Sequence, residues 1–237
     1  MSAKVDTSAV QDGYQLYHHV IIFTPKKHWA VVQQGMNPEN KTARRYHWLG
    51  DNVKDFVVEP HTAVCCDKKQ TSLNMVAVDS ESARQVSAAI ARENPDKVLK
   101  SIKFFVEKTD AQNLTLTKRH NITLSDINPK KLNTTLLKTY EQQPENFEGL
   151  LGIKGVGPKT IRALSLVSEL IYGKPPSYQD PARFSFAHGG KDGTPFPVDR
   201  KTYDKTVAAM KKAIQSSKIG NQEKLNAIKK LSGYFEI

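Results

Sequence analysis

Residues 150–160 of the chain read Leu150-Leu151-Gly152-Ile153-Lys154-Gly155-Val156-Gly157-Pro158-Lys159-Thr160. This stretch predicts a short helix, a Gly-x-Gly turn and a second helix that begins at Pro158, where the missing proline N–H costs nothing. The second helix is expected to end at Gly173, because apolar residues recur along one face up to that point. The two glycines let the backbone turn tightly and approach another molecule closely, so amides at the start of the second helix can face a phosphate oxygen.

The stretch resembles the helix-hairpin-helix motif of DNA-binding proteins. Contacts of this kind hold the DNA backbone without reading bases, so they predict affinity rather than sequence specificity. We therefore expect DNA contacts from Lys154, Gly155, Val156, Gly157, Lys159 and Thr160. The alternative is a glycine-rich turn that joins two packed helices and binds no ligand.

A second resemblance concerns Pro197-Val198-Asp199-Arg200, at the start of another predicted helix. In the helix-hairpin-helix DNA glycosylases a loop and a Val-Asp step follow the hairpin, and the aspartate is catalytic. By this resemblance Lys159 would be the nucleophile that forms a Schiff base, and Asp199 the carboxylate that stabilises positive charge on the sugar. The segment between them is longer here than in compact glycosylases, and the only cysteines, Cys65 and Cys66, cannot form the iron–sulfur site of several members. In the alternative, Asp199 caps a helix and Lys159 contacts phosphate, so the chain is either an enzyme or a binding protein.

The charge of the chain favours a polyanionic partner, and its hydropathy argues against a membrane-spanning helix. The 237 residues carry a net charge of +11, and eight of these positive charges lie in residues 150–237. Such a surplus either attracts a polyanion or only keeps the surface soluble, and together with the hairpin motif it favours DNA as the partner. No apolar run reaches the roughly 18 residues of a spanning helix, so we expect a cytoplasmic protein without a membrane partner. The Gly/Pro-rich segment 174–198 adds His188 and Lys191, and the next helix adds Arg200, as further candidate DNA contacts.

The first part of the chain favours a sheet. The runs 18–24 and 29–34 are β-prone and are separated by a proline turn, the pattern of a hairpin. Further strands are expected over 56–58, 62–66 and 73–78, followed by a helix that begins near Asp79 to Ser82. We predict an α+β fold in which an N-terminal unit of residues 1–110, with antiparallel strands and at least one helix, precedes a helical unit.

The helical unit is expected over residues 113–237, with the helix-hairpin-helix at 145–173. A helix with apolar residues from Leu132 to Tyr140 precedes the motif. Two more helices, near Arg200 to Ser217 and Asn221 to Leu231, complete the chain.

Two groups of residues in the first part have their own candidate functions. The cluster Arg44-Arg45-Tyr46-His47-Trp48 is suited to stacking on single-stranded nucleic acid, and its alternative is a surface strand with a buried tryptophan. Histidines and carboxylates such as His61, Glu59 and Asp79 could hold the divalent metal of a nuclease. No pair has His-x-x-x-His spacing, so we predict no metal site and keep the metal-dependent nuclease as an alternative function.

Several motifs together resemble a largely archaeal and thermophilic family of proteins with a domain of unknown function. They are the stretch from Trp29 to Asn37, the basic–aromatic cluster, the hairpin and the His188-Gly189-Gly190-Lys191-Asp192-Gly193 run. The resemblance covers nearly the whole chain and implies an additional N-terminal region, so we expect either that this chain is a fragment of a longer protein or that a second subunit supplies the region. Our prediction is a DNA-binding protein of the repair type, as a glycosylase or abasic-site lyase or as a non-enzymatic module that acts with a partner.

Overall fold

The computed structural model describes residues 1–66, 68–108, 129–182 and 200–233. The strands are β1 (Val10–Gln11), β2 (Gln15–Phe23), β3 (Trp29–Asn37), β4 (Thr42–Leu49), β5 (Ala63–Cys66) and β6 (Leu73–Asn74). The helices are α1 (Ser2–Lys4), α2 (Glu81–Ala91), α3 (Pro95–Lys108), α4 (Pro129–Gln142), α5 (Phe147–Gly152), α6 (Pro158–Tyr172), α7 (Arg200–Ser216) and α8 (Asn221–Gly233). A π-helical turn at Val5–Ala9 and 3-10 turns at Gly50–Asn52 and Val78–Ser80 complete the elements. The predicted α+β class, with strands first and helices after them, is confirmed.

Four strands form an antiparallel sheet in the order β2-β3-β4-β5. The predicted hairpin is present as β2 and β3, joined by a turn in which the Thr24 amide donates to the His28 carbonyl at 2.8 Å. Strand β4 alternates strictly, with Arg44, Tyr46 and Trp48 buried and the residues between them half-buried. One face of the sheet therefore covers the core.

The N-terminal segment lies between the sheet and the helices. Strand β1 pairs with β6, where Val10 is opposite Asn74, and the Met75 amide donates to the Ala9 carbonyl at 2.9 Å. The Asn74 amide donates to the Ser177 carbonyl at 2.8 Å. This short pairing therefore ties three distant parts of the chain together, although each strand has only two residues.

Helix α6 is the central helix of the first compact unit. Pro158 occupies its first turn, and Gly173 ends it in the left-handed conformation (φ +62°). Nine consecutive residues from Thr160 to Ser168 are buried, because α2, α3 and the π-helical turn pack against the helix. The start and end predicted for this helix are confirmed.

Residues 1–186 form one compact unit, and residues 187–237 form another. In the second unit α7 contacts α8, and none of its described side chains is buried. The segment 200–233 contains nine Lys and Arg against two Asp and Glu. This unit is therefore a strongly basic pair of helices.

Two predicted strands are wrong. Residues 56–58 form bends, because the Asp55 carboxylate accepts from the Val57 amide at 2.6 Å and holds a local turn instead of a ladder. The strand expected over 73–78 ends at Asn74, whose side-chain oxygen accepts from the Val76 amide at 3.2 Å. Asparagine stabilises a turn in this way.

In the part of the chain that the structure describes, no helix has the length and apolar character needed to cross a membrane.

Candidate functional site

The α5–α6 turn, residues 153–157, is held by apolar residues and presents polar ones to solvent. Ile153 and Val156 are 5% and 0% exposed and anchor the turn in the core. Lys154 and Gly155 are exposed, and Gly155 has φ +104°, a conformation that favours glycine. The buried Ile153 and Val156 therefore hold the turn in place, while Lys154 and the backbone of Gly155 face the solvent.

The beginning of α6 has an open approach. Its N-cap is Gly157, which has no side chain to bond the first amides. A Cβ built on Gly157 would have no atom within 4 Å, so this glycine is not required by packing inside the protein. Lys159 is exposed on the first turn of α6, whereas Thr160 is 5% exposed. The exposed elements of the turn are thus two lysines and the backbone between them.

The N-terminal segment fixes the position of this turn. The Lys4 ammonium donates to the Val156 carbonyl, and burial lowers the pKa of Lys4. Gln11 donates through Nε2 to the Pro158 carbonyl at 2.9 Å and accepts through Oε1 from Arg162 Nε at 3.0 Å. Sequence reasoning missed these positioning residues, because about 150 residues separate the partners and no local pattern marks them.

Arg44 and two aspartates form a buried ion-pair cluster below the sheet. Arg44 has no exposed surface, and its guanidinium donates to Asp12 at 2.8 Å and to Asp180 at 2.8 Å. Tyr46 donates to the same Asp12 oxygen at 2.6 Å. Burial opposes the charge of the guanidinium, but the negative charges around it outweigh burial, so the pKa of Arg44 is raised. The geometry gives Arg44 an internal role in joining β1, β4 and the segment after α6.

Asp6 forms a second buried centre. Its carboxylate has no exposed surface and accepts from Trp48 Nε1 at 3.0 Å and from Gln33 Nε2 at 2.5 Å. His61 Nε2 lies 2.6 Å from the other carboxylate oxygen, and the Trp48 ring meets the His61 ring edge-on at 4.8 Å. Of the alternative interpretation of the basic–aromatic cluster, the buried tryptophan is found, but the strand is not a surface strand, because β4 lies between β3 and β5 and also buries Arg44 and Tyr46.

Of the other residues predicted to contact DNA or to be catalytic, the structure describes the side chain of Arg45. Arg45 is half-buried on the opposite side of β4 from Arg44. His188, Lys191 and Asp199 lie outside the described residues, and of Arg200 only the backbone, at the start of α7, is described. The Lys159–Asp199 pair therefore stays a prediction.

Three of the residues that were considered as metal ligands lie around the same cavity. Glu59, His61 and Asp79 line one cavity of about 220 Å³. Within the described ranges, however, no group of three or more His, Cys, Asp or Glu is arranged to hold a metal ion. The described residues therefore give no support to the metal-dependent nuclease.

Two buried tyrosines, Tyr14 and Tyr46, and the half-buried Tyr178 should make the stability of the fold sensitive to alkali. Burial and a hydrogen bond with Cys66 raise the pKa of Tyr14 to about 12, and burial also raises the pKa of Tyr46 and of Tyr178. Since the unfolded chain loses these protons first, near pH 10, the free energy of unfolding should fall as the pH rises from about 10 towards 12. Denaturant titrations between pH 8 and 11.5 should show a shallower fall for Tyr14→Phe than for the wild type. The same slope for Tyr14→Phe and for the exposed control Tyr140→Phe would contradict this assignment.

Comparison with known proteins yields one match. The profile of the family described as protein of unknown function (DUF763) matches residues 1–198. No curated protein and no solved structure matches the chain. The matched region includes the sheet, the two buried aspartate centres and the α5–α6 turn, and we conclude that the chain belongs to the DUF763 family.

Proposed function

We propose that this chain binds the phosphodiester backbone of DNA at the α5–α6 turn. The observation that carries the proposal is the exposed surface of the turn, where Lys154 and Lys159 lie on either side of glycine backbone with open space at Gly157. A phosphate can approach the first amides of α6 there, and the two ammonium groups add charge. In this proposal the segment from α5 to α6 acts as a helix-hairpin-helix.

The rigidity of the turn supports the proposal. Asn146 caps α5 by accepting from the Gly149 amide at 2.8 Å, and Ile153 and Val156 are buried. Lys4 and Gln11 then bond the carbonyls of Val156 and Pro158. A backbone surface held in this way loses little conformational freedom on binding.

The distribution of side chains favours contacts to phosphates over contacts to bases. Tyr46 and Trp48 are buried at 0% and 1% exposure, so these aromatic rings are used by the core and not by stacking on a strand. The positive surplus of the chain, which is also present in α7 and α8, supplies attraction that does not depend on sequence. We therefore expect similar affinities for duplexes of unrelated sequence.

The test is a salt titration of binding to a fluorescein-labelled duplex of random sequence, followed by anisotropy. Replacing Lys154 and Lys159 together by alanine should weaken binding and should reduce the slope of log K against log[salt] by about 2, since each lost phosphate contact contributes nearly one unit. The matched control is Lys100→Ala with Lys103→Ala, which removes two exposed lysines from α3. An unchanged slope in the first variant, or an equal loss in the control, would contradict the proposal.

Gly157→Ala tests the backbone contact separately from charge. The glycine has φ −141° and an empty Cβ position, so alanine should change the free energy of unfolding by less than about 1 kcal/mol. Binding should nevertheless weaken, because the methyl group occupies the approach to the amides of α6. Wild-type affinity in Gly157→Ala would argue against phosphate contact with this backbone.

Borohydride trapping with the same protein samples tests whether Lys159 acts as the nucleophile of an abasic-site lyase. If Lys159 attacks the sugar of an abasic site, borohydride should trap a covalent adduct that Lys159→Ala does not form. Binding without an adduct supports the non-enzymatic form of the proposal.

A further inference from the structure

Lys4 brings a third ammonium group to the α5–α6 turn. Its Nζ donates to the carbonyl of Val156, which lies two residues after Lys154 and three residues before Lys159. Lys4 belongs to α1, and 152 residues separate it from its acceptor. The backbone between the two exposed lysines of the turn is therefore contacted by a lysine from a distant part of the chain.

The ammonium group of Lys4 has N–H groups that the turn does not use. A lysine ammonium carries three donors. Within the described residues Lys4 Nζ donates to the Val156 carbonyl, which leaves two N–H groups for a further acceptor. The hydrogen bond to Val156 is only partly buried, and the Lys4 side chain is half-buried. An acceptor can therefore approach the ammonium group from solvent.

The charge of Lys4 is not balanced by a carboxylate of the described chain. None of the ion pairs among the described residues includes Lys4. Asp6, two residues away, is fully buried and accepts from Gln33 and Trp48. Burial lowers the pKa of Lys4, and no nearby negative charge opposes this effect. A cation that is partly withdrawn from water in this way is stabilised by an anion that binds beside it.

The N-terminal segment holds Lys4 at the turn. The neighbouring residues Ser2, Val5 and Asp6 are buried. The π-helical turn that follows Lys4 packs against α6. The ammonium group is therefore in position before any ligand binds, and little side-chain freedom is lost on binding.

A phosphate group suits this arrangement. The Val156 carbonyl and the Gly157 nitrogen belong to one peptide unit, so the Lys4 ammonium lies one peptide unit from the open position at Gly157. A phosphodiester has two non-bridging oxygens, both of which accept hydrogen bonds from charged donors. One oxygen can accept from Lys4 while the other faces the first amides of α6.

We infer that Lys4 is a third phosphate contact of the α5–α6 turn. Val156 holds one N–H of the ammonium group, and the remaining N–H groups donate to a non-bridging oxygen of the DNA backbone. The inference rests on the proposed DNA binding and adds a contact from the N-terminal segment to the two lysines of the turn. In the alternative, Lys4 only ties the N-terminal segment to the turn.

The salt dependence of DNA binding separates these two roles, because a contact that is only structural does not change the number of ions released. Lys4→Gln keeps an N–H donor but removes the charge, and Lys4→Arg keeps both. In the anisotropy titration, Lys4→Gln should lower the slope of log K against log[salt] by about 1 and weaken binding by about five- to tenfold at about 0.1 M salt. Lys4→Arg should keep the wild-type slope. The control Lys100→Gln removes an exposed lysine from α3 and should also keep it.

The outcomes distinguish the role of Lys4 from the proposed function. A wild-type slope in Lys4→Gln overturns the role of Lys4 alone if Lys154→Ala with Lys159→Ala still lowers the slope. A wild-type slope in both variants overturns the DNA contact of the turn together with the role of Lys4.

Acetylation of the wild-type chain tests the contact without any substitution. The chain is treated with N-hydroxysuccinimidyl acetate, with and without the duplex, and its peptides are analysed by mass spectrometry. Lys4 should react in the free protein and should be protected by DNA, whereas Lys100 should react equally in both samples. Absence of a reaction at Lys4 in the free protein, or equal reaction of Lys4 with and without DNA, would overturn the inference.

Discussion

Replacing Asp12 by alanine is expected to lower the free energy of unfolding by about 3–5 kcal/mol, the largest effect of any single substitution considered. Asp12 and the Arg44 side chain are fully buried, and Arg44 Nη1 and Tyr46 both donate to one Asp12 oxygen. Removing the carboxylate leaves a buried guanidinium with Asp180 as its remaining carboxylate and leaves the Tyr46 hydroxyl without its acceptor. Urea denaturation followed by circular dichroism measures the loss.

The control for Asp12 is an ion pair at the surface. Asp51 bonds His28 at 2.9 Å, and both side chains are 57% exposed. Asp51→Ala should therefore cost no more than about 1 kcal/mol. A second check is the triple variant Asp12→Leu, Arg44→Met and Asp180→Asn, which should recover part of the stability lost in Asp12→Ala, because it removes all three buried charges of the cluster. A loss below 1 kcal/mol in Asp12→Ala would show that the buried pair does not hold the fold.

Replacing Asp6 by asparagine is expected to lower the free energy of unfolding by about 2–4 kcal/mol although the side chain keeps its shape. Three donors converge on the Asp6 carboxylate, from Gln33, Trp48 and His61. The Asn oxygen can still accept from Gln33 and Trp48, but it is no longer a charged acceptor, and the Asn NH₂ group then faces His61 Nε2, so the hydrogen bond between the imidazole and the carboxylate is lost. Chemical denaturation measures the change, and the Trp48 indole N–H resonance reports the altered contact directly.

Asp96 provides an isosteric control for Asp6. Asp96 is exposed in the first turn of α3, and Asp96→Asn should cost less than about 1 kcal/mol, the value of a charge near a helix N-terminus. Equal effects of the two Asp→Asn substitutions would mean that loss of charge, and not the change of the buried hydrogen bonds around Asp6, sets the cost.

The sequence predicted the start or end of an element correctly where a single proline or glycine determines the backbone conformation. Pro158 and Gly173 bound α6 as predicted, and the proline turn after residue 24 separates β2 from β3. Strand β4 was less certain from the sequence, since its residues are both basic and aromatic and suit either a surface or a core. The alternation of burial along β4 became evident only with β3 and β5 on either side.

The candidate site shows the same division. The glycines and lysines of the α5–α6 turn are visible in the sequence. A tight turn needs glycine at position 155, and lysines next to such a turn can be recognised from the sequence alone. The residues that hold the turn, Lys4 and Gln11, carry no such signal. Neither does Asp6, which no motif distinguishes from an ordinary surface aspartate.

The sequence by itself determined the α+β class, a short helix, a turn and a second helix within residues 145–173, and a basic surplus that lies mainly after residue 150. These features depend on neighbours in the chain or on composition, so they can be read locally. Only the tertiary structure decided that Arg44 faces Asp12 and Asp180, that Asp6 bonds His61, and that His61 lies in the wall of a cavity. A buried charge is stable only beside partners that complete its hydrogen bonds, and folding brings those partners from positions up to 151 residues away.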